Sequence, residues 1–217
     1  MSKESIGIMG GSFNPIHIGH LVIAEEARVK FSLSKVIFVP VGIPGYRKKI
    51  KLLDPERRFV MILLATTSNP HFFVSRIEID RKGKCYTYDT IVELRKIYPE
   101  DKYNIFFITG ADAVLSILTW KNPKELLSMC YFIAATRPGY NLKKLNDKLK
   151  KICLDCETRV FPIQVPELSI SSTMIRERII KNEPIKYLVP KEVEDYIYKN
   201  ELYKEEDPWE EQSKIEF

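Results

Sequence analysis

The chain alternates short apolar runs with stretches in which apolar residues recur every three or four positions. The short runs are rich in β-branched and aromatic residues. Their hydrophobicity is continuous rather than alternating, which is typical of strands that are covered on both faces. The pattern predicts six strands, at residues 5–9, 36–40, 72–75, 104–109, 131–135 and 159–161.

Helical periodicity fills the stretches between these runs. In residues 18–31, for example, Leu21, Ala24 and Ala27 fall near one helix face. Asp54 followed by Pro55 is typical of a helix start, with an N-cap side chain and proline in the first turn. The pattern predicts helices over residues 18–31, 55–67, 88–98, 123–129, 142–151, 172–180 and 190–199.

This alternation of strands and helices predicts an α/β fold. We expect a doubly wound, Rossmann-like parallel sheet flanked by helices, with right-handed crossovers and a small C-terminal helical part. In such folds the ligand crevice lies at the carboxyl ends of the strands. We expect a single domain over residues 1–203, followed by an acidic, mobile tail at residues 204–217.

Composition excludes several classes of protein. With 217 residues, 45% of them hydrophobic and 29% charged, the chain can bury a sizeable core and is not disordered as a whole. An apolar run of about 18 residues, the length that a membrane span needs, does not occur. The short charged N-terminus is unlike a secretory signal, so we expect a cytoplasmic protein without membrane contact.

The net charge of +5 is unevenly distributed. Residues 200–217 hold seven acidic and two basic residues, a net charge of −5, so the remaining 199 residues carry +10. A basic body indicates an anionic partner, which could be a nucleic acid, a nucleotide or another phosphorylated molecule. Charge alone does not distinguish these partners.

The four cysteines predict neither a disulfide framework nor a zinc site. Cys85 and Cys130 are isolated, whereas Cys153 and Cys156 form one CxxC pair. A structural zinc site would need a second pair of ligands, and the sequence has no second Cys pair at similar spacing. We therefore expect reduced, structural thiols.

The first predicted strand runs directly into the string GGSFNPIHIGH at residues 10–20. Adjacent glycines allow a sharp turn and a close approach to a ligand. His17 and His20 are three residues apart and share one face at the start of a helix, where backbone N–H groups and the helix dipole favour an anion. Because imidazoles can donate hydrogen bonds to phosphate oxygens, the string predicts a phosphate-binding site. The GxGxxG dinucleotide fingerprint is absent from the sequence.

A second string, SISSTMIRER at residues 169–178, combines small hydroxyl side chains with the start of an amphipathic helix. Either Ser171 or Ser172 suits the N-cap, which leaves free N–H groups in the first turn. Arg176 lies one turn further on, where its guanidinium can form a bidentate contact with a phosphate. The string therefore predicts a second set of phosphate ligands.

Together these two strings resemble those of the HxGH/ISSTxxR nucleotidyltransferases. The chain is most similar to the bacterial nicotinate mononucleotide adenylyltransferases, over a stretch from about residue 6 to residue 203. Five further strings match, and the first three of them separate these enzymes from the pantetheine-phosphate and glycerol-phosphate relatives. The further matching strings are CYTYDT at 85–90, GAD at 110–112 followed by Trp120, RPGY at 137–140, YLVP at 187–190 and ELY at 201–203.

The resemblance implies transfer of the adenylyl group of ATP to nicotinate mononucleotide, which yields deamido-NAD and pyrophosphate. The mononucleotide phosphate would attack the ATP α-phosphate directly and in line, with Mg²⁺ bound mainly through ATP. By the same resemblance, the catalytic residues would be His17, His20 and Arg176. The ATP-binding residues would be Gly10, Gly11, Ser12, Phe13, His17, His20, Gly110, Asp112, Ser171, Ser172, Thr173 and Arg176.

The resemblance also implies residues that bind the mononucleotide, namely Thr87, Trp120, Arg47, Lys48 and Arg137. Trp120 would stack on the pyridine ring, and the main chain at Thr87 would hold the nicotinate carboxylate. Family members carry a Pro-Pro-His-Lys-like string near residue 44, whereas this chain has Pro-Gly-Tyr-Arg at 44–47. Which basic residue of 47–51 contacts the substrate phosphate therefore stays open.

Two alternatives remain at this stage. One keeps the adenylyl transfer and changes the acceptor to nicotinamide mononucleotide, pantetheine phosphate or another phosphate monoester. The other is a basic nucleic-acid-binding protein that uses residues 47–51 and 143–151. Nucleic-acid binding leaves the histidine and hydroxyl strings unexplained. We therefore expect small-molecule partners and no nucleic acid, and a homo-oligomer is compatible with the sequence.

Overall fold

A computed structural model describes residues 3–45, 52–136, 159–166 and 168–204. Several sequence-based predictions lie outside these residues. They concern the helix at 142–151, the Cys153–Cys156 pair, the tail beyond Lys204, and the side chains of Arg47, Lys48 and Arg137.

The strands agree with the hydrophobic pattern. They are β1 (Glu4–Gly11), β2 (Lys35–Pro40), β3 (Ile43–Pro44), β4 (Phe72–Val74), β5 (Lys84–Cys85), β6 (Tyr103–Gly110), β7 (Tyr131–Thr136) and β8 (Val160–Gln164). Six of them form one sheet in the order β4-β2-β1-β6-β7-β8. Every pair of neighbours in this sheet is parallel. Numbering these six strands along the chain gives 3-2-1-4-5-6, the order of a doubly wound sheet. The predicted fold class is therefore confirmed.

The helices flank this sheet. They are α1 (Ile18–Lys30), α2 (Pro55–Thr66), α3 (Thr87–Ile97), α4 (Ala111–Leu115), α5 (Pro123–Met129), α6 (Ser172–Ile180) and α7 (Lys191–Lys199). Asp54 caps α2 as expected, because its carboxylate accepts the backbone N–H groups of Glu56 and Arg57. The helices α6 and α7 make up the predicted C-terminal helical part.

Two apolar cores lie on the two faces of the sheet. One contains Ala24 of α1, Met61 of α2 and Ile175 of α6. The other contains Ile91 of α3 and Leu126 of α5. Since both faces are covered, the strands need continuous rather than alternating hydrophobicity, which is the pattern that the sequence carries.

Four short elements escape the pattern, and one of them is the five-residue helix α4. The strands β3 and β5 pair with each other in parallel as a separate two-stranded sheet, and a 3₁₀ turn spans Ile117–Thr119. Elements of two to five residues are too short to repeat a period, although the apolar run at β4 is recognisable. In the part of the chain that the structure describes, no helix is long and apolar enough to span a membrane. Cys85 and Cys130 are buried free thiols, and burial raises the pKa of Cys130 to about 12.

Candidate phosphate-binding site

The glycine string continues from the carboxyl end of β1 into a loop that precedes α1. A side chain at Gly10 would approach the Phe107 ring of β6 to 2.9 Å, so close packing requires glycine there. Phe13 is only 1% exposed and has a φ of 46°, which is the left-handed region that bulky residues avoid. Strained residues of this kind cluster at functional sites, where the surrounding structure holds them.

The two histidines of this string stack on each other. Their ring centroids are 3.7 Å apart and their planes are inclined by 30°. The backbone N–H of His17 donates to Nδ1 of His20 at 3.2 Å. Because that nitrogen accepts, the proton of a neutral His20 lies on Nε2. The edge contact with Phe13, at 5.1 Å between ring centroids, holds the His20 ring from another side.

Both imidazoles are neutral at pH 7. Burial lowers the pKa of His17 from 6.5 to about 4. Burial and the proximity of His17 hold the pKa of His20 well below its ordinary value. Nδ1 of His17 is buried without a hydrogen-bond partner among the described residues. A side chain at Gly19 would come within 3.1 Å of this nitrogen, so Gly19 keeps the space beside it open.

The second string packs directly against the first. Ser171 is the N-cap of α6 and accepts the Met174 N–H at 3.1 Å, which decides between the two predicted caps. The Ser172 hydroxyl instead donates to the Pro15 carbonyl at 2.8 Å.

The guanidinium of Arg176 completes this contact between the strings. It donates to the Asn14 carbonyl at 2.6 Å and to the Thr173 hydroxyl at 3.2 Å. Residues more than 150 positions apart in sequence thus bring the two strings into direct contact.

A cavity of about 320 Å³ opens at the carboxyl ends of β6 and β7, and residues of both strings, His17 and Ile170, line it. Three residues that were predicted to bind ATP line it, namely His17, Gly110 and Asp112. The remaining walls are largely apolar and include Val22, Ile23, Ala135, Val165, Leu168 and Ile170. Small-molecule pockets are typically about 300–1,000 Å³, mostly apolar and supplied with a few polar groups, and this cavity fits that description.

Two of the predicted mononucleotide residues, Trp120 and Thr87, lie in the described part of the chain. Trp120 follows the 3₁₀ turn and packs edge-on against Phe107 at 6.1 Å. The same Phe107 ring lies against Gly10, so Phe107 contacts both Trp120 and the glycine string. Thr87 is the first residue of α3. Lys121 links the segment of Trp120 to the helix α3 that begins at Thr87. Its ammonium contacts the Asp89 carboxylate of α3 at 2.7 and 2.9 Å.

Sequence reasoning missed several residues that support the site. Asn14 is 2% exposed, and its Oδ1 accepts the Leu53 N–H and the Tyr203 hydroxyl, both at 3.1 Å. The C-terminal turn therefore reaches the glycine string directly. Lys121 was also missed, because one lysine after a tryptophan carries no pattern. The predictions for Arg47, Lys48 and Arg137 stay predictions, because these residues lie outside the described ranges.

Comparisons with known sequences identify the family of the chain. Residues 8–178 match the family described as cytidylyltransferase-like. The chain is 54% identical over 208 residues to the probable nicotinate-nucleotide adenylyltransferase of Thermoanaerobacter sp. (strain X514), covering 95% of this chain and 98% of that protein. It is 53% identical over 199 residues to a protein of the same name from Moorella thermoacetica, covering 92% of this chain and 91% of that protein.

Solved structures share the fold. The nicotinic acid mononucleotide adenylyltransferase of Plasmodium falciparum, in complex with NaAD, superimposes with a TM-score of 0.74 at 23% identity. The match covers 92% of this chain and 97% of that one. The same enzyme in complex with APC gives a TM-score of 0.72 at 22% identity.

Proposed function

The chain belongs to the nicotinate-nucleotide adenylyltransferase family, and from this premise we propose what its site does. It transfers the adenylyl group of ATP to nicotinate mononucleotide, which yields deamido-NAD and pyrophosphate and is a step of NAD biosynthesis. The observation that carries the proposal is the contact between the two strings, in which Arg176 of the second donates to the Asn14 carbonyl of the first at 2.6 Å. This contact joins the string that carries Arg176 to the string that carries His17 and His20.

The chemistry needs no covalent intermediate. An oxygen of the mononucleotide phosphate attacks the α-phosphorus of ATP, the bond from that phosphorus to the α,β-bridging oxygen breaks, and pyrophosphate leaves. A phosphate monoester is already an adequate nucleophile, so a side-chain base is unnecessary. Catalysis can then rest on positioning and on the stabilisation of charge that develops in the transition state.

The two histidines are suited to stabilising the charge that develops in the transition state. His20 accepts through Nδ1, so its Nε2–H is available as a donor to a phosphate oxygen near the α-phosphorus. His17 lines the cavity and is the second candidate donor. Because burial keeps both rings neutral, they supply hydrogen bonds from a dry environment in which each bond is stronger than in water.

We assign binding of the leaving pyrophosphate to the second string. Arg176 donates to Asn14 and Thr173, and its guanidinium carries further N–H groups that can form a fork onto phosphate oxygens. Ser171 caps α6, and the backbone N–H groups of the first turn, at Ser172 and Thr173, are candidate anion donors. Gly10, Gly11, Ser12 and Phe13 would form the floor of this site, with Gly110 and Asp112 beside the ribose of ATP.

The acceptor would lie between Thr87 and Trp120. An indole stacks well on a pyridine ring, and the start of α3 offers backbone N–H groups to the nicotinate carboxylate. Arg47, Lys48 and Arg137 remain the candidate contacts for the mononucleotide phosphate. Mg²⁺ would enter as part of the ATP substrate, held by the triphosphate oxygens.

The test compares acceptors side by side. Purified protein is mixed with ATP, Mg²⁺ and one of three acceptors, namely nicotinate mononucleotide, nicotinamide mononucleotide or pantetheine phosphate, and the dinucleotide and pyrophosphate are quantified by chromatography. We expect the acid acceptor to give the highest kcat/KM. Faster turnover of either of the other two would reassign the acceptor, and absence of product with all three would refute the adenylyl transfer. Salt-dependent binding of DNA or RNA without ATP turnover would favour a nucleic-acid-binding protein instead.

A further inference from the structure

Arg58 of α2 is one of the most deeply buried side chains of the described residues, with an exposure of 0%. Its guanidinium donates to three backbone carbonyls. The distances are 2.8 Å to Leu53, 2.8 Å to Ser12 and 2.6 Å to Val41. Arginine is rarely buried completely, and a buried charge is costly unless polar groups surround it. The three carbonyls therefore belong to a built arrangement.

These carbonyls come from three different segments. Ser12 follows β1 and Val41 follows β2, while Leu53 lies directly before the cap of α2. Backbone contacts join the same segments, because the Val41 N–H donates to the Gly11 carbonyl at 2.9 Å. The Leu53 N–H, as described above, donates to the side chain of Asn14. Arg58 thus lies at the junction of the glycine string with β2 and α2.

Charge supports this placement. The carboxylate of Glu78, which is 8% exposed, lies close enough to Arg58 for their charges to interact. Burial raises the pKa of Glu78, and the positive charge of Arg58 opposes that rise. Because the Thr90 hydroxyl and Arg81 act on Glu78 more strongly than Arg58 does, the three carbonyl oxygens are the main compensation for the desolvation of the Arg58 guanidinium.

We propose that Arg58 is a positioning residue for the adenylyl transfer, an inference that rests on the proposed function. By holding the Ser12 carbonyl, its guanidinium fixes the path of the two residues that follow. The first, Phe13, packs its ring against His20, and the second, Asn14, accepts the hydrogen bond of Arg176. A shift of this short loop moves both candidate catalytic groups at once.

The test uses Arg58→Lys and Arg58→Gln. Lysine keeps the charge but lacks the planar fork that reaches three carbonyls, and glutamine keeps one donor arm without the charge. Small displacements of reacting groups can cost up to about 10²-fold in rate. We expect kcat per folded molecule to fall about tenfold or more in both variants, with smaller changes in the KM of ATP.

Arg95 provides a matched control elsewhere in the molecule. Its guanidinium also donates to three carbonyls, those of Tyr98, Tyr103 and Met129. Tyr103 begins β6, so this arginine lies at the amino end of the sheet, opposite the site. Arg95→Lys should lower the melting temperature and leave kcat per folded molecule unchanged.

A second readout does not depend on turnover. The chain has only three histidines, so NMR spectra of their ring Cε1–H groups are simple to assign. Arg58→Lys should shift the signals of His17 and His20 and leave exposed His71 in place, and Arg95→Lys should shift none of them. The inference fails if the Arg58 variants lose stability only, with unchanged kcat and unchanged histidine signals. If the wild type transfers no adenylyl group, the proposed function fails, while the NMR comparison still decides whether Arg58 positions the histidines.

Discussion

The buried imidazole of His17 makes the stability of this protein depend on pH in a defined window. An unfolded histidine titrates near 6.5, whereas burial lowers the pKa of His17 to about 4 in the folded protein. Between these values the unfolded chain binds a proton that the folded chain excludes. The free energy of unfolding should therefore fall as the pH drops from about 6.5 to about 4, and be independent of this group above that window.

The size of the effect follows from the same two values. A tenfold change in an equilibrium is worth about 1.4 kcal/mol, so lowering the pKa from 6.5 to about 4 makes the folded state about 3 kcal/mol less stable at the acid end of the window. His17 is only 7% exposed, so solvent screens little of this cost. With a typical domain stability of about 5–15 kcal/mol, such a loss is readily measured.

The assay compares wild type with His17→Asn, which removes the titrating group and keeps an amide at the position of Nδ1. Urea unfolding followed by tryptophan fluorescence gives the free energy of unfolding of both proteins at several pH values between 7.5 and 4.5. We expect the difference between them to change steadily in favour of the variant as the pH falls below about 6.5. A difference that stays constant across this range would refute the neutral, buried state of His17.

Three further predictions concern single side chains of the site. His20→Ala should lower kcat about 10²-fold, because the substitution removes a preorganised donor that stabilises charge. Its circular dichroism spectrum should stay that of the wild type. Turnover close to normal would exclude His20 from catalysis. Trp120→Ala should raise the KM of the mononucleotide, because it removes stacking that is worth about 1–3 kcal/mol. Trp120→Phe is the control, since it keeps an aromatic ring. An equal rise in the KM of ATP would contradict the stacking role. Lys121→Met should change the KM of the mononucleotide less than about fivefold. The ion pair of Lys121 with Asp89 is partly exposed, with side-chain exposures of 42% and 28%, and a pair of this kind is worth roughly 0.2–1 kcal/mol. A larger effect of Lys121→Met would point to direct contact with the substrate.

The sequence predicts the main sheet and the flanking helices well, because each long element repeats its hydrophobic period several times. The strands β3 and β5 are too short for a period, and their pairing depends on tertiary contacts. The N-cap of α6 shows a similar limit. Ser171 and Ser172 are equally good candidates from composition, and the choice follows from Ser172 donating to Pro15, more than 150 residues away in sequence.

Sequence patterns reveal only part of the site. The two strings carry the polar groups in compact form, so they stand out in the sequence, and the structure adds their contact through Ser172 and Arg176. Arg58 could not be assigned a role, although a signal exists. It lies three and four residues before Met61 and Ile62, on the buried face of α2, where a charged residue is unexpected. The period shows that Arg58 is buried, but its three carbonyl partners become visible only in the folded chain.

The central claim is that the mononucleotide phosphate attacks the α-phosphorus of ATP. An oxygen-labelling experiment tests this claim most directly. Nicotinate mononucleotide with oxygen-18 in its phosphate is incubated with ATP, Mg²⁺ and the purified protein, and the products are analysed by mass spectrometry. Direct attack on the ATP α-phosphorus predicts that all of the label stays in the dinucleotide and that pyrophosphate carries none. Label in pyrophosphate, or the absence of a dinucleotide, would contradict the account.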